Sequence, residues 1–339
     1  MDYKQSGVDI DAGNETVRRI RRLARSTFTS GVLSDIGSFG GLFRLDAAGF
    51  VEPVLVSSAD GVGTKLKVAF LMNRHHTVGA DLVNHCVNDI LVQGATPLFF
   101  LDYLATGTLS PDLAVQVVDG IATACRENGC ALLGGETAEM PGFYHDNEYD
   151  LAGFIVGVVE RSRVIDGSTL IPGDALVGLP STGLHTNGYS LARRIVFDDL
   201  GLGVDAFVPE LGASIGDVLL RPHKSYLKAV SPLLARGLVK GMAHITGGGI
   251  TENLPRIFPA GVSARIERAW PVLPIFTFLQ KGGAIADAEM LRAFNMGIGL
   301  IIACSPEHCD EALGCLREAG EEPIRIGRLE PGNGRVVYD

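Results

Sequence analysis

Apolar and polar residues alternate along this chain in blocks that read as strands and helices. An apolar run from Val51 to Val56 reads as a buried strand, and a strand is expected over 51–57. Between Asp81 and Gln93 the apolar residues fall at 82, 83, 86, 87, 90 and 91, which is helical spacing, and Gly94 is placed to end that helix. The helix's other face carries Asp81, Asn84, His85, Asn88 and Asp89. Thr96 to Leu104 reads as a strand, and Ser110-Pro111 opens a helix that runs to Glu127 and stops near Gly129. A strand from Cys130 to Leu133 leads into a glycine loop, Gly134 to Gly142, and Leu151 to Val159 reads as another strand. The second half opens on a strand, Ala175 to Leu179, then a polar loop to Ser190 and a helix to about Asp199. Further on, the pattern predicts helices near 224–236, from 250 and at 308–319. It predicts strands at 298–304, 323–329 and 335–338. Strands and helices are mixed without a regular βαβ repeat, which indicates a mixed α/β (α+β) fold and does not demand a Rossmann sheet.

At 339 residues the chain has room for about two domains. The turn-forming residues between about 162 and 173 mark the boundary, giving expected domains of 1–165 and 166–339. The net charge is −10 and no basic block occurs, so a nucleic-acid polymer is not the expected partner. No apolar stretch is long enough to span a bilayer, and the N-terminal residues carry no apolar signal core. The six cysteines form no Cys-x-x-Cys pair and lie mostly in apolar contexts. Buried, reduced thiols in a cytoplasmic protein are expected.

Ser58-Ala59-Asp60-Gly61-Val62-Gly63-Thr64-Lys65 carries the strongest chemical signal. Gly61 and Gly63 let backbone N–H groups approach an anion, with Thr64 beside them. Lys65 supplies a point charge for phosphate, and Asp60 is a ligand type for a hard cation such as Mg2+. The spacing is not that of a P-loop, and a strand-ending turn with a solvated lysine is the alternative. Asp60, Asp89 and Glu136 would hold magnesium against nucleotide phosphates if they converge. For Asp89 a solvated helix face competes with that role. His185 lies in a turn with Ser181, Thr182, Gly183 and Asn187, a set suited to phosphate; the alternative is an exposed histidine beside a helix cap. Gly247-Gly248-Gly249 after His244 is a second candidate anion loop. No nucleophile elbow, activated thiolate or zinc spacing is present. The residues thus read as an enzyme handling phosphorylated small molecules with a nucleotide and Mg2+.

Several long motifs occur in register along nearly the whole chain. They are Tyr3-Lys4-Gln5-Ser6-Gly7-Val8-Asp9 through Asn14, Asp60 to Lys65, Val87 to Ala95 and Gly134 to Gly142. Gly183 to Leu191, Ile245 to Gly249 and Phe294 to Gly297 follow in the second half. In these the chain resembles the phosphoribosylformylglycinamidine cyclo-ligase (aminoimidazole ribonucleotide synthetase) family. The resemblance implies ATP-dependent ring closure of formylglycinamidine ribonucleotide (FGAM) to aminoimidazole ribonucleotide (AIR), with release of ADP and phosphate, in purine biosynthesis. It implies a two-domain subunit and a homodimer in which strands of the N-terminal domains form a shared barrel, with an α/β C-terminal domain. It also implies nucleotide contacts from Gly61, Gly63, Thr64, Lys65, Asn88 and a mobile glycine segment holding Gly37 and Gly40. Substrate phosphate would fall to Ser181, Thr182, Gly183, Asn187 and Gly247 to Gly249, with His185 positioning substrate or moving a proton. His223 departs from the pattern, since threonine is expected before the tyrosine-containing helix. Sister ATP-dependent enzymes of the superfamily, or a non-catalytic nucleotide-binding protein of the same fold, are the competing readings.

Overall fold

The computed structural model describes residues 9–37, 39–145 and 147–339. Tyr3 to Val8 of the N-terminal motif and Ser38 of the glycine segment lie outside the described residues. The chain divides into two compact units. The first runs to Ile90 and from Ala95 to Ser162; the second takes Leu91–Gly94 and Arg163–Asp339.

The first unit contains α1 (Ile10–Arg25), β1 (Pro53–Gly61), α2 (Leu66–Met72), α3 (His76–Leu91), β2 (Thr96–Thr106), α4 (Pro111–Glu127), β3 (Ala131–Glu139) and β4 (Tyr149–Glu160). Asp9 caps α1, its carboxylate accepting the N–H groups of Asp11 and Ala12 at 3.0 and 3.1 Å. The sheet has the order β1-β4-β2-β3. β4 pairs antiparallel with both β1 and β2, and β3 lies parallel to β2 after the α4 crossover. One βαβ unit is thus set into an otherwise antiparallel sheet.

Where α3 and α4 meet, glycine faces glycine. A Cβ on Gly120 would stand 1.8 Å from the His76 carbonyl oxygen, and one on Gly79 would stand 2.2 Å from that of Val117. The two backbones are in contact there, which only residues without a Cβ permit. α3 is buried nearly all round, its polar face included: Asp81 and Asn88 have no exposed surface, and Asn84 and His85 are also buried. That face is turned into the protein and is not a solvated stripe.

The sheet's other face is apolar and largely uncovered. Ala59 of β1 and Leu101 of β2 flank Phe154 of β4 in register. Phe154 is 45% exposed and Leu55, on the same face, is 61% exposed.

In the second unit the elements are β5 (Ala175–Pro180), α5 (Tyr189–Arg193), β6 (Phe207–Val208), β7 (Ala213–Ser214), α6 (Ile215–Leu219), α7 (Leu227–Ala235), β8 (Gly241–His244) and α8 (Gly249–Asn253). They continue with β9 (Val262–Ile266), α9 (Pro274–Gly282), α10 (Asp287–Ala293), β10 (Ile298–Cys304), α11 (Cys309–Glu318), β11 (Ile324–Pro331) and β12 (Val336–Tyr338). The main sheet has the order β12-β9-β11-β5-β10-β8. Every residue of β10 is buried, which explains its unbroken apolar run: both faces are covered. Leu176, Ile301, Ile326 and Trp270 share one core, and the Trp270 indole N–H donates to the Met296 carbonyl at 2.9 Å.

Three expectations are corrected. The glycine stretch after Leu133 is strand, not loop, because pairing of β3 with β2 continues through Gly134 to Glu139. Asp60 likewise lies inside β1, opposite Gly153, and not in a turn beyond it. The helix expected to reach Asp199 is α-helical only to Arg193 and then widens into a π-type turn through Asp199.

Candidate active site

In the first unit the site is built where β1 passes along α3. Asp81, His85 and Asp89 recur every fourth residue and so share one line of the helix. His85 Nε2 lies 2.7 Å from Asp60 Oδ2 and 3.8 Å from Asp89 Oδ2. Ser58 Oγ donates to the same Asp89 oxygen at 2.9 Å, and the Gly61 N–H donates to Asp60 Oδ1 at 2.8 Å. Burial opposes a charge on His85, but the hydrogen bond to Asp60 and the charges of Asp89, Asp60 and Asp81 outweigh it, so its pKa is raised. An imidazole with a raised pKa between two carboxylates occupies the position of a cation. Asp60 and Asp89, as paired oxygen ligands, suit a hard divalent ion in the same place. His85 was not singled out by the sequence reading; its spacing four residues before Asp89 was the available signal.

Two other members of the expected set lie elsewhere. Lys65 has no exposed surface, and its ammonium pairs with Asp81 Oδ2 at 2.7 Å. Burial lowers its pKa despite that partner. The expectation of a lysine presented to phosphate is therefore corrected: Lys65 is a buried ion-pair member that anchors the Gly63–Lys65 turn to α3. Glu136 stands opposite Tyr103 in β3, whereas Asp60 lies in the row Asp60, Gly153, Asp102, Gly135 across the sheet. Adjacent rows face opposite sides, and three strand spacings separate the edges by about 14 Å. Asp60 and Asp89 come together; Glu136 does not join them within this unit, which corrects the three-carboxylate set.

Gly63 adopts φ +67° and Gly37 φ +104°, and Thr64 lies within the turn that Gly63 opens. Gly40 belongs to the segment closed by the Val32–Phe43 bridge, with the Leu33 N–H donating to the Leu42 carbonyl at 2.8 Å. Asp102, in the middle of that sheet row, is 9% exposed, and burial pushes its carboxyl up to about 7. A cavity of about 420 Å3 beside Phe70, His75, Ser110, Gln116 and Glu148 is lined by none of the expected site residues.

In the second unit the loop from Ser181 to Gly188 folds over the end of β5. His185 is buried at 1% exposure and has φ +61°, a left-handed backbone uncommon for histidine. The alternative of an exposed loop histidine is excluded. The Thr182 N–H donates to His185 Nε2 at 3.2 Å. Ser181 Oγ donates to the Gly183 carbonyl at 2.9 Å, and Asn295 Nδ2 donates to the same oxygen at 2.9 Å. Asn187 and the glycine loop are neighbours: a Cβ on Gly247 would lie 3.4 Å from Asn187 Oδ1. Gly248 and Gly249 have φ of +97° and +59°. Asn253, which the sequence reading passed over, turns its Nδ2 to the carbonyls of Gly247 and Gly249 at 3.1 and 2.9 Å. Ser181, Thr182, Gly183, His185 and Asn187 are thus gathered in one loop, with Gly247 beside it.

Comparison with known proteins places the chain. Residues 45–159 match the N-terminal domain of AIR synthase related proteins, and residues 172–339 match their C-terminal domain. A curated protein of Trichlorobacter lovleyi is 55% identical over 97% of this chain and 94% of its own length. The chain belongs to the AIR synthase family. That relative, and one of Desulfitobacterium hafniense at 54% identity over 99% of this chain and 98% of its own, are named phosphoribosylformylglycinamidine cyclo-ligase. The family fold extends further. Thiamine-monophosphate kinase from Stenotrophomonas maltophilia superposes with a TM-score of 0.69 at 20% identity, covering 96% of both chains. Hydrogenase maturation protein HypE, solved in complex with ATP, superposes with a TM-score of 0.65 at 23% identity, covering 93% of this AIR synthase family chain and 88% of its own. The sequence resemblance to the cyclo-ligases is borne out, and the fold is the mixed α/β, two-domain one it implied. No helix among the described residues is long and apolar enough to cross a membrane.

Proposed function

We propose that this chain catalyses the ATP-dependent closure of FGAM to AIR, with ADP and phosphate as co-products, in the cytoplasm. The observation that carries the proposal is identity of 55% across nearly the full length of a curated cyclo-ligase. The amide oxygen of the formyl group is a poor leaving group. Transfer of the γ-phosphoryl group of ATP to that oxygen converts it to phosphate, a good one. An amidine-side nitrogen then attacks the activated carbon, the C–O bond breaks, and phosphate departs with the oxygen while the nitrogen gives up a proton.

Asp60 and Asp89 would hold Mg2+, which supplies charge neutralisation at the transferring phosphoryl group. Gly61, Gly63 and Thr64 are assigned to the nucleotide, with Gly37 and Gly40 covering it; Asn88, which like Lys65 has no exposed surface, is assigned no contact with it. Lys65 acts by holding the turn through Asp81. Ser181, Thr182, Gly183, Asn187 and Gly247 to Gly249 are assigned to the substrate phosphate, and His185 orients the substrate. The chain's 1–165 part carries the nucleotide and the dimer contact, its 166–339 part the substrate phosphate. A homodimer is supported by the uncovered apolar sheet face around Leu55 and Phe154. Two such sheets closing on each other would make a barrel.

The test is direct. Protein, ATP, Mg2+ and FGAM are mixed and AIR and ADP are followed. Stoichiometric formation of both is expected, with Asp60→Asn folded but largely inactive. ADP formed without AIR, or a fully active Asp60→Asn, would overturn the reading or the metal assignment respectively.

A further inference from the structure

We propose that His223 is a positioning residue, which fixes the ring orientation and tautomer of His244 and the ring of His185. The proposal rests on the substrate role given above to the His185 loop. His223 precedes α7 and has no exposed surface. Its Nδ1 lies 3.2 Å from Thr186 Oγ1, and its Nε2 lies 3.0 Å from His244 Nε2. One face of its ring stacks on His185, with centroids 4.1 Å apart and planes at 24°. Both nitrogens and one face are therefore engaged, by residues from the His185 loop and from the end of β8.

The space for this cluster is built in. A Cβ on Gly299 of β10 would stand 2.1 Å from Tyr226 Oη and 2.6 Å from His185 Cε1. Tyr226, which packs beside His185 with ring centroids 6.3 Å apart, donates its hydroxyl to the Pro180 carbonyl at 2.9 Å.

The chemistry of the contacts constrains the protons. His185 Nε2 accepts from the Thr182 N–H, so the neutral ring carries its proton on Nδ1. Two imidazole Nε2 atoms at hydrogen-bond distance share one proton between them. If His223 Nε2–H donates, the Thr186 hydroxyl donates to His223 Nδ1 and His244 carries its proton on Nδ1. If His244 Nε2–H donates, His223 Nδ1–H donates to Thr186. His223 thus ties the direction of the Thr186 hydroxyl to the tautomer of His244, which a residue filling space alone would not do.

The substitutions that test this keep different parts of the side chain. His223→Phe keeps the ring stacked on His185 and removes both hydrogen bonds. His223→Gln retains an amide near the Nε2 position, toward His244, and His223→Asn retains one near Nδ1, toward Thr186. Imidazole 15N spectra of the full-length, ligand-free proteins report the tautomers. The expected result for His223→Phe is a His244 signal moved toward a mixed tautomer, with His223→Gln restoring it and His223→Asn not. In steady-state assays His223→Phe is expected to lower kcat/KM for the phosphoribosyl substrate about tenfold, the equivalent of one lost hydrogen bond, with the KM for ATP unchanged. Unchanged His185 and His244 signals in His223→Phe would overturn the proposal. So would altered signals with wild-type kcat/KM in an active enzyme. If His223→Phe does not fold, the Gln and Asn variants decide: a difference between their His244 signals supports the proposal, and identity with wild type refutes it. A wild-type protein that forms no AIR would instead sink the proposed function and leave the spectra to judge the positioning role.

Discussion

Asp102 shows what one buried group does to a whole stability curve. Its carboxyl is raised to about 7, against an ordinary value near 3.9 in an unfolded chain. The folded state therefore binds more protons than the unfolded state between these values. The contribution is fully present below about pH 4 and is lost as pH rises through about 7, an effect of about 4 kcal/mol. Asp102→Asn should flatten that slope, and urea denaturation at pH 5 and pH 8 checks it. Lys65 gives the opposite lesson. Its pairing with Asp81 is fully buried, so Lys65→Ala leaves a carboxylate without its cation and should cost about 3 kcal/mol. Lys65→Met combined with Asp81→Leu should recover most of the loss in the same denaturation measurement. A lysine after Gly-Thr looks alike in sequence whether it faces a phosphate or an aspartate on the next helix. Burial is what separates the two, and it arises from packing distant in sequence. His223 was legible only as a departure from an expected threonine, because nothing local signals that His185 and His244 would meet it.

At the scale of elements, the contact of α3 with α4 is the least forgiving. Gly120→Ala places a methyl group against the His76 carbonyl, and the helices must separate to admit it. A loss of about 3 kcal/mol or failure to fold is expected, measured by thermal unfolding, with Gly129→Ala as a contrast, since no atom lies within 4 Å of a Cβ there and only its φ of +66° is strained. The longer elements were readable in advance because their periodicity or apolar runs exceed the noise of local preference. β10 falls on the expected residues, Ile298–Cys304, and α4 on Pro111–Glu127. Gly134 and Gly135 signal a loop in the sequence, while pairing with β2 holds them extended as part of β3. β9, α9 and the β6–β7 hairpin escaped notice; β6 and β7 are two residues each, too short to show a period. The Asp60–His85–Asp89 group follows the same logic. Its i, i+4 spacing on α3 and a strand over 51–57 are both visible in the sequence; that the strand runs on through Asp60 and lies against His85 is not.

For the whole molecule the sheet of the first unit carries the proposed dimer contact. Its inner face is filled by helices and its outer face presents Leu55 and Phe154. Phe154→Asp should shift the proposed dimer to monomer by sedimentation and reduce activity at least tenfold at dilute protein, because a charge in a closed apolar interface is costly. A variant that stays dimeric and active would assign the face to something else. The same uncovered face also sets a clock on every newly made chain. Encounter between two subunits slows with the square of dilution, while adsorption to tubing, membranes or misfolded neighbours needs only one. Dilute stocks should therefore lose activity sooner than concentrated ones, and the loss should begin as missing material before it appears as altered turnover.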